Sequence, residues 1–298
     1  MSASSHTIAL MCDSTCDIPE ELVAQYDITV LPAYVIWGEE QFLDRVTLQA
    51  DAFYRRLVID PVYPSSSHPT PGDFRDAYQA ARASGASGIV VVTVSSAMSG
   101  TYNAARQAAD TFELPVRVVD SKGPTMSLGW QVLAAARARE DLEISRSDHN
   151  AVDETLHAMV HAAGAARAHM AQLVYMDAIK YLHKGGRIGN AVSLLGTALR
   201  IRPVIYIDHE TGLVEVERAA RTRKRGIEAL VQGFYDRLDL SRPLHVAVLH
   251  GGVPDEGRAL AERVRNEINP AELLVNTTGP VLGINTGPGA LALCGYYE

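Results

Sequence analysis

Along the first half of the chain, unbroken apolar runs alternate with segments whose apolar positions recur every three or four residues. "TIALMCD" (Thr7 to Asp13), "GIVVVTV" and "VRVVDSK" read as strands, and "IPEELVAQY", "ADAFYRRLV", "TYNAARQAADTF" and "MSLGWQVLAAARARE" as helices. "ITVLPAYVIW" reads as one further extended segment, and Asp17 is placed to cap the first helix. Thr70 opens a Thr-x-x-Asp capping pattern with Pro71 at the first helical position, which predicts a helix from Pro71 to Ala83. "GIVVVTV" has no polar face, the pattern of a parallel strand buried on both sides. Strands alternating with helices imply right-handed crossovers around a parallel sheet.

The pattern changes after the polar stretch "EDLEISRSDHN" (Glu140 to Asn150), which is expected to be a surface connection. A long helix rich in Ala and His follows, then the strand "AQLVYM" and two helices broken at Gly185 and Gly186. "RPVIYIDHETGLVEVERA" places two strands around Glu210-Thr211-Gly212, a hairpin signature. A helix, the strand "LHVAVLHGG", a helix near Glu256 to Asn266 and a last strand at "ELLVNT" complete the half, with "TTGPVLGINTGPGALAL" read as a turn-rich loop. The expected fold is therefore α/β in two domains: an N-terminal parallel-sheet domain over residues 1–150 and a C-terminal mixed domain over 151–298, with a ligand between them.

Composition narrows the function classes. The chain has 298 residues, long enough for two cores, and its 47% hydrophobic and 21% charged residues are those of an ordinary globular protein. No apolar run approaches the roughly 20 residues that span a bilayer, and "MSASSHTIALMCD" lacks the basic start and apolar core of a secretory signal, so a cytoplasmic protein without an integral membrane segment is expected. Cys12, Cys16 and Cys294 form no CxxC pair and have no His-rich neighbourhood, which argues against a disulfide framework and a zinc site. Cys12 reads as buried packing and Cys16 as a loop thiol. The net charge of −8 argues against nucleic acid as a partner. The run "ERAARTRKRG" is the local exception; it is either a solvated helix start or a docking patch for an anionic ligand or protein.

In a parallel α/β sheet, ligands collect where strands end and helices begin, because unpaired N–H groups there favour an anion. Four hydroxyl-rich strand ends occupy such places: Asp13-Ser14-Thr15, Ser65-Ser66-Ser67, Ser95 to Thr101, and Asp120-Ser121-Lys122. Single hydroxyls there cap turns; four clusters point to a shared small-anion site. A nucleophilic serine needs a base, and neither G-x-S-x-G nor a histidine of telling spacing is present. "HKGGRIGN" matches neither the P-loop nor G-x-G-x-x-G.

The ordered series "DSTCDIP", "SSSHPTPGDF", "SSAMSGTYNAA", "VVDSK", "YLHKGGRIG", "RIRPVIYI", "RTRKRG" and "GINTGPGA" resembles the DegV family from about Ile8 to the C-terminus. The resemblance implies a fatty-acid-binding protein, similar to the subunit of bacterial fatty acid kinases that buries an acyl chain and presents its carboxylate to a separate kinase subunit for acyl-phosphate formation. It implies no catalytic residue and no cofactor in this chain, only a bound long-chain fatty acid. The family's Thr-Ser-Gln-Pro motif falls on Ser66-Ser67-His68-Pro69, which implies Ser66 as a carboxylate contact with Ser67 beside it. The Ser-Ser-x-x-Ser-Gly-Thr-Tyr motif is intact and implies Ser96, or Ser95, as the second contact. Arg187, in Gly-Gly-Arg-Ile, and Arg221 match regions of kinase docking. Two positions depart: Asn285 replaces the histidine usual in Gly-x-His-x-Gly-Pro-Gly, and His68 replaces the usual glutamine. The rival expectations are a serine-dependent acyl hydrolase, a phosphotransferase with Asp13 or Asp120 as base, and a carrier of another small anion.

Overall fold

The computed structural model describes residues 8–142, 149–194 and 201–298. Strand β1 (Ile8–Asp13) leads through a 3-10 turn and helix α1 (Glu20–Gln25) to β2 (Ile28–Leu31). The extended segment expected over "ITVLPAYVIW" is two strands in different sheets, broken at Pro32-Ala33: β2 pairs with β1, whereas β3 (Tyr34–Trp37) pairs with β4 (Glu40–Leu43). Helix α2 (Ala50–Ile59) follows, and then Ser65–Ser67, which form a short strand β5 on the other edge of β3. Helix α3 (Pro71–Ala83) has the predicted capping box, with Thr70 and Asp73 bonding each other's backbone N–H.

Strand β6 (Gly88–Thr93), buried at every residue, precedes α4 (Thr101–Ala109), β7 (Val116–Asp120) and α5 (Met126–Asp141). The first sheet is all parallel, in the order β2-β1-β6-β7. The chain leaves β1 toward one edge and β6 toward the other, so β1 and β6 flank a topological switch point, where their carboxyl ends open a crevice.

Helix α6 (His149–Ala168) leads to β8 (Ala171–Tyr175), α7 (Lys180–Gly185) and a 3-10 turn over Gly189–Leu194. The hairpin is formed by β9 (Arg202–Asp208) and β10 (Leu213–Ala220), followed by α8 (Arg223–Tyr235), β11 (Leu244–His250), α9 (Pro254–Ile268) and β12 (Glu272–Thr277). Two expectations fail here. The Gly- and Pro-rich stretch is not all loop but holds helix α10 (Pro280–Thr286), which starts on a proline at its first position. The last strand is not β12 but β13 (Leu291–Tyr297), "LALCGYY", lying between β8 and β11 and antiparallel to both. The mixed sheet runs β10-β9-β8-β13-β11-β12.

The two sheets share one core. Leu10 and Val90 of the first sheet, Trp130 and Leu133 of α5, Leu156 and Met159 of α6, and Val174 and Cys294 of the second form one buried cluster. Helix α5 is buried nearly all round, as a helix without a polar stripe must be, and the Trp130 indole N–H donates to the Cys294 carbonyl at 3.3 Å. Thus α5, and α6, within whose first turn the expected division at residue 150 falls, both pack into the core that the two sheets share. Most of the polar connection expected over Glu140 to Asn150 lies outside the described residues. Outer faces are covered separately, by α3 and α4 on the first sheet and by α8 and α9 on the second.

Asp17 does not cap α1, whose start carries no side-chain cap. It is buried with φ 51°, bonds the Arg45 guanidinium at 2.5 Å and accepts the Gly279 N–H at 2.9 Å, so it ties the N-terminal turn to the start of α10. Cys16 is likewise buried in the 3-10 turn and is not a loop thiol; all three cysteines are buried and unpaired. Among the described residues, no helix is long and apolar enough to cross a membrane.

Candidate ligand-binding site

A cavity of about 180 Å³ lies at the switch point of the first sheet and under the inner face of the second. Its wall is largely apolar. Val174, Ile205, Ile207, Val214, Leu249 and Ala292 contribute alternate residues of β8, β9, β10, β11 and β13, because side chains two apart share a sheet face. Thr15 and Val94 bring in the ends of β1 and β6.

The polar part of the lining comes from four segments held against one another. Ser66, Ser67 and His68 stand on β5 and just after it. The His68 ring lies so close to Gly100 that a Cβ there would fall 2.6 Å from its Cε1. Gly100 links Ser99 to Thr101, whose hydroxyls bond each other at 2.8 Å, and Thr101 opens the nine-residue helix α4 at the cavity wall. Arg187 reaches back to the same elbow, donating to the carbonyls of Met98 at 3.2 Å and Gly185 at 2.8 Å. Asn285 of α10 closes the ring over Gly185, where a Cβ would come within 2.0 Å of its Oδ1. Its Nδ2 donates to the Val281 carbonyl at 3.0 Å, while Oδ1 is buried without a hydrogen-bond partner. A carboxamide nitrogen carries two hydrogens, so one remains for a ligand.

Of the residues singled out in the sequence, Ser66, Ser67, His68, Asn285 and Arg187 therefore meet at one cavity. Ser96 and Ser95, the contacts expected within the Ser-Ser-x-x-Ser-Gly-Thr-Tyr motif, are not among its lining residues. The Ser95 hydroxyl is buried and donates to the Gly212 carbonyl at 2.9 Å, fixing the β9–β10 turn. The Ser96 hydroxyl donates to the Asp120 carboxylate at the end of β7. Period decides the outcome: the elbow turns at Ala97 and Met98, so Ser99 and Thr101, three and five residues on from Ser96, face the cavity instead. Arg221 lies elsewhere, exposed beside a second concavity lined by Arg218, Arg225 and Glu228. Thr125, Gln172, Thr278 and Thr286 also line the cavity. Thr278 and Thr286, both in the quoted glycine-rich stretch, stood near a sequence signal; Thr125 and Gln172 did not.

The carboxyl groups nearby have settled roles. Burial pushes Asp13 up from the ordinary carboxylate range, opposed by hydrogen bonds from Thr15 and the Val94 N–H, the latter at 2.7 Å. Burial also acts on Asp120, but hydrogen bonds from Ser96 and Lys122 outweigh it and hold the group below that range. Neither serine of the elbow has a histidine partner: Ser95 bonds a carbonyl and Ser96 a carboxylate.

These features define an α/β protein of two large sheets and a small third one, with a mostly apolar internal cavity and a hydroxyl-rich polar rim. The DegV family model, described as an uncharacterised protein family, matches residues 7–298, and the chain belongs to that family. A DegV domain-containing protein of Streptomyces coelicolor is 34% identical over 294 residues, covering 97% of this chain and 98% of the relative. Among solved structures, a fatty-acid-binding DegV family protein from Thermus thermophilus superposes with a TM-score of 0.82 at 28% identity, covering 98% of this chain and 100% of that one. A stearic-acid-binding protein from Eubacterium ventriosum gives 0.84 at 25% identity, covering 97% and 98%.

Proposed function

We propose that this protein is a fatty-acid carrier without catalytic activity of its own, which buries an acyl chain in the cavity and holds its carboxylate at the polar rim. The observation that carries the reading is the division of one cavity between an apolar wall on the second sheet and a ring of donors from β5 and His68 after it, the α4 elbow, Arg187 just beyond α7, and α10. Each methylene moved from water to the wall gains about 0.8 kcal/mol, so the chain supplies affinity and the rim supplies orientation. The carboxylate contacts are the hydroxyls of Ser66, Ser67, Ser99 and Thr101, with His68, Arg187 and the second N–H of Asn285 around them. The start of α4 adds the positive end of its dipole. Family membership and the ligands of its relatives support this reading.

In this reading the exposed Arg187, at the rim, and Arg221 serve as docking points for a separate kinase subunit that converts the presented carboxylate to an acyl phosphate with ATP, which places the protein in the cytoplasm. Mass spectrometry of ligand extracted from the purified protein tests the carrier. A stoichiometric fatty acid supports it; an empty protein that turns over esters or acyl phosphates until Ser96 is changed to Ala overturns it in favour of an enzyme.

A further inference from the structure

Within the apolar wall of the cavity stands one side chain that an alkyl chain cannot satisfy. Gln172, on β8, is 1% exposed, lines the cavity, and has neither its amide nitrogen nor its amide oxygen hydrogen-bonded. Its neighbours along the same face, Val174 and, across the sheet, Ala292, are apolar. Burying one polar atom without a partner costs about 1–3 kcal/mol, and Gln172 buries two. A Met of similar volume at this position avoids that cost, so the carboxamide calls for a polar partner inside the cavity.

The position of Gln172 separates it from the carboxylate rim. Strand β13 leaves the α10 end of the cavity at Ala290 and runs inward past Ala292 to Cys294, and Gln172 is the β8 partner of Cys294. Four residues of strand at 3.3 Å each put it about 13 Å from the level of Ala290. A free N–H together with a free C=O calls for a group that both accepts and donates. A hydroxyl does both, whereas a hydrocarbon or a second carboxylate does not.

We propose that the cavity is built for an acyl chain hydroxylated well away from its carboxylate, with the Gln172 carboxamide as partner of that hydroxyl. The proposal rests on the fatty-acid reading above and adds the chemical class of the chain. Without Gln172, an apolar wall penalises any hydroxylated chain, because the hydroxyl leaves water for nothing. With it, the order of preference reverses.

The test is isothermal titration of the delipidated full-length protein with stearate, with the isomer hydroxylated next to the carboxylate, and with isomers hydroxylated in the distal half of the chain. One or more distal isomers are expected to bind about tenfold more tightly than stearate, the proximal isomer is not, and Gln172→Leu is expected to abolish or invert the distal preference while retaining stearate. If stearate binds and every distal isomer binds equally or more weakly, the proposal is overturned and the carrier reading stands; a water molecule as the partner of Gln172 gives this result. If no acid binds, both fall. The wild-type ratio decides the matter even if the variant fails to fold.

Discussion

Asn285 occupies the space over Gly185: a Cβ on that glycine would lie 2.0 Å from Asn285 Oδ1 and 2.8 Å from its Cγ. The contact joins the last residue of α7 to α10 and sets one side of the cavity rim. At a helix end, Gly→Ala ordinarily stabilises by up to about 1 kcal/mol through propensity. Here overpacking by about 1–3 kcal/mol opposes it. Gly185→Ala is therefore expected to lower the urea midpoint and weaken fatty-acid binding. Adding Asn285→Ala removes the clash, so a double-mutant cycle should give a coupling above about 1 kcal/mol.

Ser66 and Ser96 are expected to behave oppositely. Ser66→Ala removes a half-buried rim hydroxyl with no hydrogen bond to lose among the described residues, so fatty-acid affinity should fall about five- to tenfold while stability changes by less than about 0.5 kcal/mol. Ser96→Ala takes a donor from Asp120, which costs about 1–2 kcal/mol in stability but leaves affinity nearly unchanged. Thermal unfolding and ligand titration of the two variants separate these effects; an affinity loss confined to Ser96→Ala would return the elbow serines to the site.

How far the sequence disclosed this arrangement depends on range. The βα alternation, the Thr70–Asp73 box and the β9–β10 hairpin were legible because period and capping are local. The small sheet and β13 were not: β5 is three serines that owe their conformation to pairing with β3, and "LALCGYY" follows a Gly-Pro-Gly turn that looks like a continuing loop. Of the cavity lining, Ser66, Ser67, His68 and Asn285 stand in the ordered motifs. That Ser99 and Thr101 line the cavity, whereas Ser95 and Ser96 do not, was not legible, because the direction of each hydroxyl depends on how the elbow turns. Gln172 gave no signal, since one polar residue in "AQLVYM" is unremarkable until both faces of β8 are seen to be buried.

A pH dependence follows from Asp44, which accepts from Ser14 Oγ at 2.7 Å and from the Val281 N–H at 3.3 Å. Burial pushes its pKa up to about 7, against hydrogen bonding from Ser14 and the nearby Arg45 charge. In the unfolded chain an aspartate titrates near 3.9. The folded state holds the proton more tightly, so the contribution of Asp44 to stability is most favourable below about pH 4, falls as pH rises from there to about 7, and is level above. Asp44→Asn cannot titrate and keeps an acceptor for Val281. Its stability relative to wild type should therefore grow by roughly 2–4 kcal/mol across that window in urea unfolding at a series of pH values. A constant difference between the two proteins would show that Asp44 stays ionised throughout.

Arg221 and Arg187 should part company in the same way as the two serines, but between ligand and partner. Arg187 lines the cavity and bonds the Met98 carbonyl, so Arg187→Ala should weaken fatty-acid binding severalfold as well as any docking. Arg221 is exposed beside Arg218 and Arg225, away from the cavity, and no ligand contact depends on it. Reversing its charge in Arg221→Glu should leave fatty-acid affinity within about twofold of wild type and stability within about 0.5 kcal/mol, as for an exposed surface charge. If the basic run docks a kinase subunit, acyl-phosphate formation in a mixture with that subunit should fall at least tenfold, chiefly through slower association and most steeply at low salt, because a rim charge acts on encounter. Undiminished turnover with Arg221→Glu would remove this position from docking.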